Sequence, residues 1–119
     1  MSEQPVPTEI SLHTQSKSLG LTYGDVNYRL SAEYLRVHSP SAEVRGHGVG
    51  QEVLQTGKEN VGIKAIEPVG HYAIKLIFDD GHDSGLFTWE YLYKLATQQE
   101  FIWQSYLNRL KKAGYQRQH

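Results

Sequence analysis

Cysteine is absent from the 119-residue chain. That removes disulfides, thiolate nucleophiles and cysteine metal ligands together. Long apolar runs are missing as well: none approaches the ~18 residues that a membrane-spanning helix needs, and the N-terminus carries no signal-peptide pattern. The expectation is a cytoplasmic chain without membrane attachment. Charge of either sign is not in excess, since twelve Lys and Arg stand against thirteen Asp and Glu for a formal net charge of −1. This balance argues against general nucleic-acid binding, whose affinity comes from neutralised phosphates. Several catalytic signatures are lacking too. There is no Gly-x-Ser-x-Gly elbow, no His-Glu-x-x-His, no phosphate loop ending in Gly-Lys-Ser, and no His-x-Asp or His-x-Glu pair to begin an iron site of two histidines and a carboxylate. No internal repeat or low-complexity tract occurs.

What is present reads as one α+β domain. Residues 1–7 are polar with two prolines and are expected to be disordered. Thr8–His13 and Ser18–Tyr23 alternate polar and apolar residues, and Val26–Leu30 follows the turn signal Gly24-Asp25, which predicts a three-stranded antiparallel meander. Leu19, Leu21 and Tyr23 share its inner face. Ser31 suits a helix N-cap, so a short helix over 31–36 is expected, ending before Pro40. Strands are predicted again over 61–69, 72–78 and 85–88, with Asp79–Ser84 as a hairpin turn. Thr88 would cap a helix beginning at Trp89, and a second helix from about Gln98 would stop at Gly114. The prediction is about six mainly antiparallel strands, a short helix after strand three and two C-terminal helices, spanning residues 8–113, with 114–119 as a polar tail.

Between Ser39 and Asn60 apolar residues thin out and Gly46, Gly48, Gly50 and Gly57 appear. So long a connection in a small domain is usually functional or disordered, and 44–60 is expected to be the most mobile internal stretch. Its Arg45-Gly46-His47-Gly48 segment has the glycines and the guanidinium of an anion cradle, without the spacing of a nucleotide-binding loop. Arg36, His38, Arg45 and His47 form the candidate binding loop. The six histidines (13, 38, 47, 71, 82 and 119) raise the question of metal, with carboxylates beside His82 in the Asp79–Asp83 turn; an ordinary exposed turn has the same composition.

The C-terminal third is aromatic and then basic. Phe87, Trp89, Tyr91, Tyr93, Phe101, Trp103, Tyr106 and Tyr115 are followed or interleaved by Arg109, Lys111, Lys112 and Arg117, and no carboxylate follows Glu100. Rings packing helices onto a sheet would account for this. So would a docking surface, because aromatic residues and Arg concentrate at binding hot spots. Phe101, Leu107 and Leu110 are expected to face the sheet, and Trp103, Tyr106, Arg109 and Lys112 form the candidate partner surface.

Leu35-Arg36-Val37-His38-Ser39-Pro40-Ser41-Ala42-Glu43-Val44, followed by Gly70-His71-Tyr72-Ala73 and Asp80-Gly81-His82-Asp83-Ser84-Gly85, resembles the gamma-butyrobetaine hydroxylase-like N-terminal domain family over about residues 8–95. The resemblance implies a small α+β module that precedes the oxygenase domain of carnitine-synthesis enzymes. Such a module also occurs free-standing in bacteria and attached to P-loop ATPases of iron–sulfur cluster assembly. It implies no catalytic residue, since those belong to the oxygenase domain. In the oxygenase members a structural zinc is held by three cysteines and a histidine. Carried across, those positions fall on Ser39, Ser41, Val44 and His82, so one ligand of four remains and the zinc is expected to be lost.

Three functions follow in decreasing order of expectation. The first is a non-catalytic accessory or protein-interaction module, monomeric, with an unknown protein partner and no cofactor. The second is a metal-ion-binding or iron–sulfur cluster assembly accessory protein using His38, His47 and His82. The third is an enzyme with its site at Arg36, Arg45 and His47.

Overall fold

The computed structural model describes residues 6–40, 56–82 and 85–117. Six antiparallel strands form two three-stranded sheets. β1 (Glu9–His13), β2 (Ser18–Tyr23) and β3 (Val26–Ser31) make the first, and β4 (Ile63–Val69), β5 (Ala73–Phe78) and β6 (Leu86–Thr88) the second, each in chain order. Helix α1 (Ala32–Val37) follows β3, and α2 (Trp89–Thr97) and α3 (Gln99–Lys112) close the chain. The α+β expectation is met, while the division of the strands into two sheets carries no signal in the periodicity.

Local chemistry accounts for the element ends. Gly24 takes φ 66° in the two-residue connection between the paired Tyr23 and Val26, where a primed hairpin turn needs a left-handed residue. Ser31 and Thr88 cap α1 and α2, their hydroxyls accepting from the N–H groups of Tyr34 at 3.0 Å and Tyr91 at 3.1 Å. At the end of α3, Gly114 adopts φ 79°; its N–H bonds the Lys111 carbonyl, and the Tyr115 N–H bonds that of Leu110. This pair of bonds is a Schellman motif, which satisfies carbonyls that the helix end leaves over. Pro68 is tolerated in β4 because that strand lies at a sheet edge.

The main core draws Leu19, Leu21 and Leu30 from the first sheet, Leu76, Phe78 and Phe87 from the second, Leu35 from α1, and Leu92 and Leu95 from α2. The Tyr34 hydroxyl donates to the Leu95 carbonyl at 2.7 Å and ties α1 to α2. A second cluster joins Val37 of α1 to Tyr106 and Leu110 of α3, with Trp103, Leu107 and Tyr115 packed on it.

Two expectations for α3 are corrected. Phe101 does not face the sheet but is 75 % exposed, and Tyr106, assigned to the partner surface, is 1 % exposed. The buried side runs through Ile102, Trp103, Tyr106 and Leu110; Phe101 lies roughly 140° around the helix from Tyr106 at about 100° per residue. Nor does the chain through Arg117 trail away as a polar tail. Tyr115 donates to Glu59 at 2.9 Å, and Arg117 bonds both carboxylate oxygens of buried Glu33, at 2.9 and 2.5 Å, while its guanidinium lies 5.2 Å from the Trp103 ring centroid. No described helix is long and apolar enough to cross a membrane.

Candidate functional site

Helix α1 ends against the turn between β5 and β6, and the residues singled out from the sequence meet there only in part. Arg36, in the last turn of α1, points its Nε at Asp80 Oδ2 at 2.9 Å, and Lys58 Nζ reaches the same oxygen at 3.2 Å. The other oxygen of Asp80 accepts the His82 backbone N–H at 3.2 Å. Burial opposes ionisation of Asp80, but the His82 N–H, the Arg36 charge and the hydrogen bonds from Lys58 and Arg36 outweigh it and hold its pKa below the ordinary value. Arg36 itself is buried, and its Nη1 has no hydrogen-bond partner among the described residues.

One step further along the chain, Ser39 Oγ lies 2.9 Å from His82 Nε2. Ser39 is completely buried, and Gly85 covers it so closely that a Cβ at position 85 would overlap the hydroxyl. His38 turns elsewhere. Its Nδ1 donates to the Tyr34 carbonyl at 2.8 Å, closing the end of α1, and its ring stands edge-on to Tyr34 and Tyr106. Burial lowers the His38 pKa; the Tyr34 bond opposes this and the charge of Arg109 adds to it. The His38 carbonyl accepts from the Tyr91 hydroxyl at 2.5 Å, which locks the segment to α2.

Thus Ser39 joins His82, Arg36 joins Asp80, and His38 serves the helix end. Ser41, Val44, Arg45 and His47 lie outside the described residues, and so does most of the stretch expected to be mobile. Lys58, Asp80 and Tyr91 were not singled out as site residues. Asp80 alone left a trace, as the acid before Gly81 in a turn where Asp commonly accepts its own loop's N–H groups.

The donor set does not suit the zinc of the oxygenase members. Ligands on a tetrahedral zinc stand roughly 3.4 Å apart and share no proton, whereas Ser39 and His82 bond each other directly at 2.9 Å. By that resemblance, neutral hydroxyls stand at two of the thiolate positions, Ser39 and Ser41, and an alkyl side chain at the third, Val44. Among the described residues no group of three or more His, Asp or Glu is placed to hold a metal ion.

The candidate partner surface divides. Tyr106 is buried and Trp103 is half-buried against both clusters. Arg109 lies 6.0 Å from the Tyr106 ring centroid, and Lys111, Lys112 and Phe101 are exposed.

Similar folds are known. An NMR solution structure aligns with a TM-score of 0.85 and 58 % identity, over 97 % of this chain and 91 % of the other. A second NMR structure gives 0.79 and 49 %, over 98 % and 90 %. The crystal structure of a protein of unknown function in the DUF971 family, from Acidithiobacillus ferrooxidans ATCC 23270, gives 0.65 and 37 %, over 81 % and 98 %. No curated protein matches the chain. The model of the family described as gamma-butyrobetaine hydroxylase-like, N-terminal, matches residues 10–93, and the chain belongs to that family.

Proposed function

We propose that this chain is a non-catalytic accessory module that docks on a protein partner through the outer face of α3. The observation that carries this reading is Phe101: a large ring at the start of the helix, 75 % exposed. The same exposed side continues through Asn108 to Lys111 and Lys112. Apolar area followed by cations suits a partner with an acidic rim, because charge complementarity orients the encounter while the buried ring supplies affinity. Arg117 is excluded from this surface, since Glu33 neutralises it.

The non-catalytic part is supported by the burial of the Ser39–His82 pair. It has the spacing of a nucleophile and its base, yet Ser39 has no exposed surface and Gly85 roofs it. The pair serves as a hydrogen-bonded joint between the end of α1 and the turn after β5.

A photocrosslinking phenylalanine analogue at position 101, compared with the same group at Glu90, tests the docking face. A discrete adduct from position 101 only, lost in Lys111→Ser/Lys112→Ser, is expected; identical adducts from both positions would overturn the proposal. Elemental analysis of untagged protein is expected to find no stoichiometric zinc or iron. One metal per chain, removed by His82→Ala, would overturn the hydrogen-bonded reading of that corner.

A further inference from the structure

The outer face of the first sheet holds a basin of about 330 Å³ lined by Glu9, Ser11, His13, Thr22, Asn27 and Arg29 around Gly20. Registry explains its shape. Ser11, Gly20 and Arg29 lie in one row across the three strands, and Glu9, Thr22 and Asn27 in the next. With neighbouring strands about 4.8 Å apart, Ser11 and Arg29 flank the floor at roughly 10 Å. Glycine in the interior of a central strand costs conformational entropy and leaves a gap in the side-chain surface; a close approach by another group is one reason for its use.

The rim carries several hydrogen-bond donors. Arg29 makes no salt bridge among the described residues. The Thr22 hydroxyl donates to Asn27 Oδ1 at 2.7 Å, which leaves the Asn27 amide N–H groups directed elsewhere. His13 leans over the floor, its Nε2 only 3.3 Å from where a Gly20 Cβ would be. Glu9 is the one acid in the set, with the Ser11 hydroxyl 3.5 Å from its Oε2.

We propose that the basin over Gly20 binds a small oxyanion, a carboxylate or a phosphate group, held by Arg29, Asn27 and His13. A guanidinium gives two parallel donors to either group, and an amide and an imidazole add directed hydrogen bonds. This site shares no residue with the outer face of α3, so either can fail without the other.

The test is a titration of the full chain with inorganic phosphate and, separately, with succinate at constant ionic strength, followed by backbone amide shifts. Saturable shifts centred on residues 11–13, 20 and 27–29 are expected. Arg29→Gln should weaken them at least tenfold and leave the rest of the spectrum unchanged. Gly20→Val fills the floor with a better strand former, so it should abolish binding while the unfolding midpoint holds or rises. A response to only one of the two ligands supports the site and identifies its group. No saturable change at these amides, or changes that survive Arg29→Gln, would overturn it.

Discussion

The first sheet pairs without interruption from Glu9 opposite Thr22 to Tyr23 opposite Val26, whereas the second slips register between Ile63 and Ala65. Both have three antiparallel strands in chain order and both give one face to the core. They differ in the use of what remains. The first leaves part of its outer face to solvent, with Gly20 and Thr22 along the middle strand. The second carries, at the end of β5, a turn pinned from outside by Arg36, Lys58 and Ser39. One topology thus serves once as an open platform and once as an anchor for a buried polar joint. Substitutions should be tolerated on the platform and felt at the anchor.

The largest effect is expected deep in the second sheet. Phe78→Ala removes a ring that is almost wholly buried between the sheets and helices, and should cost about 3–5 kcal/mol in urea unfolding. Arg29→Gln on the platform should stay within about 0.5 kcal/mol of the parent. Equal losses for the two would erase the contrast.

Gly85→Ala comes next. Its methyl group would displace the Ser39 hydroxyl from His82, at a cost of about 1–3 kcal/mol. Its platform counterpart, Gly20→Val, should not destabilise.

Asp80→Asn leaves buried Arg36 without its carboxylate and should cost about 1–3 kcal/mol at neutral pH. Because the pKa of Asp80 is lower in the fold, its contribution is complete above the ordinary carboxylate value of 3.8 and is lost as pH falls through the folded value. The variant should therefore lie closer to the parent in acid. Urea midpoints between pH 2.5 and 7 measure this.

The smallest effect belongs to His38. Its folded pKa lies below 6.5, so the unfolded chain takes up the proton first as pH falls. Stability from the neutral ring is complete above that value and is lost as pH drops through the folded pKa. His38→Asn should flatten the stability profile below pH 6.5, while Arg29→Gln should leave its slope unchanged.

Much of the scaffold was legible because it is written in short-range chemistry. Period-two alternation marked β1, β2 and β4, apolar density marked β5, and turn signals placed β3 and β6; Ser31 and Thr88 marked their helices, and Gly114 marked the end of α3. The two errors on α3 have a common origin. Phe101 and Leu107 are both strongly apolar, but they lie roughly 120° apart around a helix and cannot share one buried face. The neighbour that chooses the buried stripe is Val37, on an element some seventy residues earlier. For the joint, the motif containing Ser39, His82 and Gly85 was visible, while the role of Gly85 as a roof and the anchors Lys58 and Tyr91 had no pattern of their own.

Alternation, caps and turn residues were settled along the chain, since each depends on neighbours within four or five positions. The residue pattern around Ser39 and His82 also marked the family. Which helix face is buried, that Arg36 meets Asp80 forty-four positions away, and that Arg117 neutralises Glu33 were settled by packing. Those pairings join residues that are far apart in sequence. They exist only once the sheets and helices have met, because the interaction free energy belongs to the assembled neighbourhood and to no single segment.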